Sequence, residues 1–225
     1  MITDDPGTPG PGGWEVNIAA TGVSHGSSSE AESPLLDLNY GIGDTIQLKY
    51  EVPWVAQRES GRTRSGLGNS LLGVKWRFHD GGERGWQIST YPQVEVRNPG
   101  SRSAARGLSE EGTGVLLPFE LQHTLTAFDI NFEVGRELRS RGNDSWFGGV
   151  AIGREMTERV ELMTELHGEL ADASNDSAVG VTLGARLALG AAGTLLVSLG
   201  RDLHNALDER SFFGYIGWQF TSSKQ

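Results

Sequence analysis

The stretch Leu35–Trp54, LLDLNYGIGDTIQLKYEVPW, decides the fold class of this chain. It holds two runs, residues 36–40 and 46–52, in which apolar and polar side chains alternate, and the turn-forming residues Gly41–Asp44 join them. Alternation with a period of two places all apolar residues on one face of a strand and all polar residues on the other. Glycine at the junction tolerates the positive φ of a tight turn. The stretch therefore predicts a β-hairpin with one apolar face and one charged face.

Composition excludes several classes of protein. The chain has 225 residues, a formal net charge of −10 and no cysteine. The acidic balance argues against nucleic-acid binding, and without cysteine there is no disulfide, thiolate metal site or cysteine nucleophile. No run approaches the roughly 18 apolar residues of a membrane helix. A membrane barrel stays possible, because only every second residue of its strands faces lipid.

The two ends of the sequence bear on localisation and on the limits of the folded domain. Met1 is followed at once by Ile-Thr-Asp-Asp-Pro-Gly, with neither the basic region nor the apolar region of a signal peptide. The chain is then either cytosolic or a mature form with an added methionine, and the strand pattern favours the second. Residues 1–12, rich in proline and glycine, predict an extended tail, followed by a barrel over 13–221 and a C-terminal tail over 222–225.

Alternation continues along the whole chain in about twelve segments of about ten residues each, the length with which a tilted strand crosses a bilayer. The connections alternate in length. Polar segments at 22–33, 56–65 and 98–111 are long, whereas turns near Asp80 and Ala127 are short. Later loops are predicted at 173–176 and 202–210. Outer-membrane barrels have short periplasmic turns and longer outer loops. The sequence predicts an all-β, up-and-down antiparallel transmembrane β-barrel. The parity of the glycine-rich strand at 146–154 stays open.

Aromatic residues recur near the predicted strand ends on the apolar face, where two girdles are expected at the headgroup layers. The predicted girdle residues are Trp14, Tyr40, Trp54, Phe78, Trp86, Phe128, Trp146, Phe212, Trp218 and Phe220. The last strand also ends in an aromatic residue, which resembles the C-terminal signal read by the outer-membrane assembly machinery. We therefore expect that machinery, the lipid bilayer and lipopolysaccharide to be partners.

The polar face is predicted to line the lumen. Its charged and ionisable residues are Glu15, Asp37, Lys49, Glu51, Lys75, Arg77, Glu120, Asp129, Glu133, Glu161, Glu165, His167 and Arg186. The basic residues of adjacent strands would face an acidic wall across the barrel and set a transverse field, as in a porin constriction. The excess of acidic groups predicts a mild cation preference. In the alternative, these charges pair across a narrow interior and fill it.

Several stretches resemble a family of Gram-negative outer-membrane proteins known as the MetA-pathway-of-phenol-degradation family of transporters. The matching pieces are TPGPGGWEVNI at 8–18, residues 34–54, GLGNSLLGVKWRF at 66–78, YPQVE at 91–95, LPFE at 117–120 and residues 146–153. The resemblance implies a β-barrel and uptake of small compounds, aromatic ones among them. It implies no catalytic residue.

Other candidate chemistry is weaker. Glu165, His167 and Glu169 share one strand face and could ligate a metal, but ordinary lumen lining is the favoured interpretation. His123 on the apolar face could serve a lipid hydrolase, yet no serine can be placed beside it. We therefore expect no enzyme activity, no cofactor and no metal.

These patterns together predict an outer-membrane channel or uptake protein that passes small solutes, aromatic or cationic, through a charged lumen. Two alternatives stay open: a sealed structural or lipid-modifying barrel, and a soluble ligand-binding barrel. The sequence leaves the solute, the gating and the oligomeric state undetermined.

Overall fold

A computed structural model describes residues 3–82, 85–172, 177–205 and 211–222. The strands it contains are β1 (Trp14–His25), β2 (Ser28–Ile42), β3 (Ile46–Glu59), β4 (Arg62–Leu67), β5 (Ser70–Asp80), β6 (Trp86–Thr90), β7 (Gln93–Val96), β8 (Gly114–Thr124), β9 (Asp129–Arg139), β10 (Ser145–Thr157), β11 (Val160–Ala171), β12 (Ser177–Ala188), β13 (Thr194–Asn205) and β14 (Ser211–Ser222). Short 3₁₀ turns lie at Ala104–Arg106 and Gly190–Ala192. None of the helical segments in these ranges has the length and hydropathy of a membrane-spanning helix.

The strands form one closed antiparallel barrel. The first strand pairs with the last, from Trp14 opposite Ser222 to His25 opposite Ser211, so the sheet has no free edge there. Both β4 and β5 pair with β3 and together make one barrel strand, and β6 and β7 together fill the next place, between β5 and β8. The barrel therefore has twelve strands in up-and-down order. The predicted fold class is confirmed.

The interruption between β6 and β7 falls at Tyr91 and Pro92. Proline has no N–H to give to a strand ladder, so it breaks the strand there. The Pro92 carbonyl still accepts from the Val74 N–H at 3.0 Å, and the Tyr91 N–H donates to the Pro118 carbonyl at 3.2 Å. Tyr91 lies two residues after the buried Ser89, so strand alternation places its side chain inside the barrel as well, where it is 1% exposed.

The apolar face of the barrel points outward. Leu183 and Leu199, in the middle of their strands, are 67% and 75% exposed, whereas Lys75 and Glu120 are 2% and 0% exposed. A soluble barrel packs its apolar residues inside, so the soluble ligand-binding alternative is wrong. Apolar exposure over a whole barrel exterior is typical of a lipid-facing surface.

Two segments predicted as polar loops are β-hairpins. Over residues 22–33, β1 and β2 stay paired as far as His25 and Ser28. Over residues 56–65, β3 and β4 stay paired to Glu59 and Arg62, with Gly61 at φ +77° in the turn. Backbone pairing continues beyond the apolar band because antiparallel partners satisfy each other's N–H and C=O groups whatever the side chains are. Apolar periodicity alone could not reveal it.

The remaining predicted loops agree with the structure to different extents. Residues 98–111 do form a long loop, and it folds over the inner side of the β3–β4 hairpin. Leu108 is buried there, and a Cβ on Gly66 would lie 2.7 Å from the Ser103 hydroxyl. The predicted loop at 202–210 is wrong in its first part, because β13 continues to Asn205. The rest of it, and the predicted loop at 173–176, lie outside the described residues.

The barrel has two different ends. We call the end that carries the turns after β2, β5, β8, β10 and β12 the short-turn end, and the opposite end, where β1–β2 and β3–β4 extend, the long-hairpin end. The glycine-rich strand β10 has its parity fixed by the exposed side chains of Trp146 and Ile152, so Gly149, Ala151 and Gly153 face inward. Between Phe147 and Glu155, the inner face of β10 therefore carries only these three small residues.

Predicted girdle residues are found on the exterior near both ends. Trp14 packs on Tyr40 with ring centroids 4.7 Å apart, and Trp86 stacks on His123 at 4.4 Å. Trp218 donates its indole N–H to the Ala192 carbonyl at 2.7 Å. The remaining members, exposed on the same surface, are Trp54, Phe78, Phe128, Trp146, Phe212 and Phe220. Their placement in headgroup layers stays a prediction.

Candidate functional site: the lumen and the N-terminal segment

Residues 3–13, which we call the N-terminal segment, enter the lumen from the short-turn end. Its base is fixed at the rim: the Gly12 N–H donates to the Gly41 carbonyl, and the Gly41 N–H donates to the Gly13 carbonyl, both at 2.9 Å. The Thr8 hydroxyl donates to the Asp44 carbonyl at 3.0 Å. A Cβ on Gly41 would lie 1.9 Å from the Gly10 carbonyl oxygen, so only glycine allows this close approach.

The tip of the segment, Thr3–Asp5, lies against the inner wall formed by β9, β10 and β11. The Thr3 N–H donates to the Glu165 carboxylate, and the Asp4 N–H donates to Glu133 Oε2 at 3.0 Å. A Cβ on Gly149 would lie 2.2 Å from the Thr3 hydroxyl. The small inner residues of β10 thus provide the space that the tip occupies.

Lys75 joins the tip to the wall. Its ammonium group lies 3.2 Å from Asp4 Oδ2 and 3.3 Å from Glu120 Oε2, and it donates to the Asp5 carbonyl. It also lies 4.6 Å from the centroid of the Tyr91 ring. A buried ammonium group needs such partners because desolvation of an unpaired charge is costly. The lysine therefore ties the N-terminal segment to the barrel electrostatically.

Carboxylates of the inner wall accept hydrogen bonds from the docked tip. Glu120 and Glu133 are directly opposite each other on β8 and β9. Like charges at such positions repel. The Ser89 hydroxyl donates to Glu120, and the backbone N–H groups of the tip donate to Glu133 and Glu165. Docking of the tip therefore supplies hydrogen-bond donors where the strands supply mainly acceptors.

A second polar cluster lies beside the segment on β1, β2 and β3. Lys49 Nζ is 3.4 Å from Asp37 Oδ1 and 2.8 Å from Glu51 Oε2. The Asn17 amide donates to Asp37 at 3.1 Å and to Glu15 at 3.0 Å. A polar cavity of about 240 Å³ stays open between this cluster, the N-terminal segment and Lys75. The segment therefore narrows the lumen near the short-turn end without filling it.

The other predicted lumen residues lie apart from the tip. Arg77 donates to the Asp44 carbonyl at 2.7 Å, and Asp129 accepts from the Thr124 hydroxyl at 2.6 Å. Glu161 and Arg186 pair at 3.8 Å. These four residues belong to strand regions near the short turns. His167 lies 3.8 Å from Glu165, with its ring 5.4 Å from that of Phe213.

The predicted separation of a basic wall from an acidic wall is wrong for the two lysines. Lys75 contacts Glu120 directly, and both carboxylates paired with Lys49 are on its own strand or the adjacent one. The alternative, in which charges pair and occupy the interior, describes these contacts. The reason is geometric: strands that are close together in a narrow barrel bring long side chains within bonding distance.

Sequence reasoning missed the docking of the N-terminal segment and the neutral polar residues around it. Gln47 donates to the Tyr91 hydroxyl at 3.0 Å and to Asn39 at 2.7 Å, and all three side chains are buried. The signal in the sequence was the row of inward glycine and alanine residues on β10, which leaves space inside a barrel. Within the described residues no group of three or more side chains could hold a metal ion, and the Glu165–His167–Glu169 face forms none.

Comparison with solved structures places this architecture among outer-membrane channels. The COG4313 outer membrane channel from Pseudomonas putida F1 is similar with a TM-score of 0.72 and 15% identity, over 98% of this chain and 100% of that one. The KdgM porin has a TM-score of 0.63 at 7% identity, over 91% and 99% of the two chains. The NanC porin has a TM-score of 0.63 at 7% identity, over 90% and 98%. Similarity at these identities shows the fold alone.

Sequence comparison adds no closer assignment. No family model matches the chain, and no curated protein matches it. The resemblance to the phenol-degradation family therefore stays a prediction. The comparisons do show that this chain shares its overall fold with solved outer-membrane channels and porins.

Proposed function

We propose that this chain is an outer-membrane channel for small solutes whose lumen is closed by its own N-terminal segment. The fold shared with outer-membrane channels and the outward apolar face support the location. The observation that carries the closure is the position of Lys75, which contacts the tip and the barrel wall at once. A solute can pass this level only when the tip moves.

The two parts of the segment are held by different forces. Its base at Gly10–Gly13 is held by backbone hydrogen bonds to the rim and by a close approach to Gly41. Its tip is held by hydrogen bonds to carboxylates and by Lys75. Charge-assisted contacts weaken with ionic strength and charge removal, whereas the base contacts do not depend on charge. We therefore expect the tip to leave while the base stays attached.

The same wall determines which solutes are favoured. When the tip leaves, Glu133 and Glu165 lose the donors that it provided. Together with Glu120, which keeps its contacts with Ser89 and Lys75 of the barrel, these carboxylates then face an aqueous passage. Rings of acidic side chains favour cations. The open channel is expected to prefer small cationic solutes over anionic ones. We also propose that neutral aromatic compounds, whose uptake the sequence resemblance implies, pass through the open channel.

Planar-bilayer recordings test this function. The full chain is compared with a variant that lacks residues 3–9, after a heat-modifiable gel shift has shown that each barrel is folded. We expect small or rare current steps from the full chain, and larger, steady, cation-selective steps from the variant. Anion selectivity in the variant would contradict the acidic-wall argument. Equal currents from both chains would contradict closure by the segment.

A sealed structural barrel is the second candidate, favoured by the buried ion pairs and amide hydrogen bonds that occupy the interior. It predicts that the deletion variant folds and passes no current. In either case lipopolysaccharide and the assembly machinery are the proposed partners, and incorporation of the newly made chain into outer-membrane vesicles tests that part.

A further inference from the structure

A groove interrupts the lipid-facing surface at two adjacent glycines. Gly148 on β10 and Gly168 on β11 are paired in register, with Val134 on one side of them and Val179 on the other. Val134 is 52% exposed on the exterior, so this row of residues faces outward. Two neighbouring strands thus carry no side chain at the same level of the apolar face.

The glycines form the floor of a groove whose walls are apolar. The next outward-facing row of residues towards the short-turn end contributes Phe132, Val150 and Leu166, and the volume of the open groove is about 620 Å³. Side chains would be crowded in the floor. A Cβ on Gly148 would lie 2.8 Å from the Glu133 carbonyl oxygen, so the backbone would have to shift, and one on Gly168 would lie 3.1 Å from the Ala178 carbonyl oxygen, a tight contact. The backbone of the wall itself therefore favours the groove.

The end of the groove towards the long hairpins carries an interfacial arrangement. Trp146 precedes the floor on β10, and the Arg136 guanidinium lies 5.1 Å from the centroid of its indole ring. Arg136 also donates to both carboxylate oxygens of Asp172 and lies 3.7 Å from Asp144. An indole with a cation and carboxylates beside it is suited to the boundary between acyl chains and headgroups. One end of the groove is therefore polar, and the rest is not.

We propose that this groove holds one acyl chain of an ester-linked membrane lipid, with its ester region at Trp146. The groove is continuous with the lipid-facing surface, and an unfilled depression there would lose dispersion contacts that a chain can restore. A second protein copy is less suited, because the groove has twelve lining residues, whereas a standard protein interface uses about 20–30 on each side. The proposal rests on the membrane location given above but not on conduction.

Photocrosslinking of the full chain tests this site. The barrel is reconstituted in phosphatidylcholine vesicles that contain a trace of phosphatidylcholine with a diazirine in the middle of one acyl chain. After irradiation, labelled residues are mapped by peptide mass spectrometry. We expect about tenfold more label on the peptides that carry Phe132 and Leu166 than on the exterior of β13 around Leu199, as about ten additional carbon contacts would give. Equal labelling of all exterior faces would overturn the proposal.

Two matched variants distinguish lipid labelling that depends on the groove from labelling of the exterior surface in general. Leu166→Trp places a large ring over the glycine floor, and Leu199→Trp makes the same change on an exposed leucine away from it. The first variant should lose the enrichment and the second should keep it. Retained enrichment in Leu166→Trp would count against the site.

Competition and cross-links between copies distinguish the occupants. If an equal mole fraction of unlabelled free fatty acid removes the label, the site takes free alkyl compounds and the assignment to an ester-linked membrane lipid fails. Protein–protein cross-links through this face would assign it to a second copy and also overturn the proposal. A folded barrel that conducts as expected yet shows uniform labelling would refute this site and leave the proposed function intact.

Discussion

Replacing Lys75 with methionine should open the lumen. The substitution keeps a long, unbranched side chain of similar volume but removes the charge that lies 3.2 Å from Asp4 and 3.3 Å from Glu120. It also removes the donor to the Asp5 carbonyl. The tip then keeps its two backbone hydrogen bonds to Glu133 and Glu165 but loses its link to Lys75 on β5.

The size of the effect follows from these contacts. A hydrogen bond to a charged group contributes about 1.5–3 kcal/mol. The Asp4 side chain is 43% exposed, so its ion pair with Lys75 is screened by solvent and adds no more than about 1 kcal/mol. Together the tip loses about 1.5–4 kcal/mol. Since about 1.4 kcal/mol corresponds to a factor of ten, the ratio of closed to open channels should fall roughly 10- to 700-fold.

Single-channel recording measures this ratio as open probability at fixed voltage and salt. Lys75→Met should show longer and more frequent open periods than the unmodified chain. Arg141→Met is the matched control, because it breaks an exposed pair with Glu111 outside the lumen. Its open probability should not change.

A second variant removes an ambiguity. Lys75→Met leaves Glu120 without its cation, and an unpaired buried charge can cost about 3–5 kcal/mol in barrel stability. Lys75→Met/Glu120→Gln removes that unpaired charge and still lacks the contacts to the tip. If the tip closes the channel, the double variant stays open. If the double variant returns to the conductance of the unmodified chain, wall distortion explains the single variant and our reasoning is refuted.

Three further predictions test other parts of the structure. Leu199→Arg should lower the free energy of unfolding by about 2–4 kcal/mol in chemical denaturation, whereas Leu203→Arg, on the same face nearer the strand end, should cost about 0–1 kcal/mol; equal costs would contradict the lipid-facing band. Gly149→Phe should displace the tip and increase the accessibility of a cysteine probe placed in the segment, and an unchanged labelling rate would argue against that packing. The pKa of Asp172 should lie below its ordinary value because the Arg136 guanidinium donates to both of its oxygens. The stability from this pair is present at neutral pH and is lost as pH falls through that lowered value, so an NMR titration with an ordinary pKa would disprove the pair.

Sequence reasoning succeeded where a short-range pattern carries the information. The alternation at 36–40 and 46–52 identified strands and their two faces, and strand length with loop alternation identified the membrane barrel. It failed at the ends of the strands: the polar residues near His25 and Glu59 show no apolar period, yet their backbones stay paired. Hydrogen bonding of the backbone extends a hairpin independently of side-chain hydropathy.

The functional site depends on contacts between distant parts of the chain. The sequence placed Lys75, Glu120, Glu133 and Glu165 on the inner face, but not their arrangement. Asp4 and Glu133 are 129 positions apart, and no local pattern links them. Lys75 was expected to face an acidic wall across open water, whereas the closed barrel brings it into contact with Glu120 and with the N-terminal segment.

The sequence by itself therefore determined the class of fold and the inside and outside of the wall, since both follow from the period-two geometry of a strand and the apolar nature of its surroundings. Only the tertiary structure decided that residues 3–13 enter the lumen, that Gly149 makes space for Thr3, and that Gly148 and Gly168 meet on the exterior. These features depend on the register in which strands close into a barrel. Register brings together residues that are far apart in sequence, and it is set by the pairing of all strands at once.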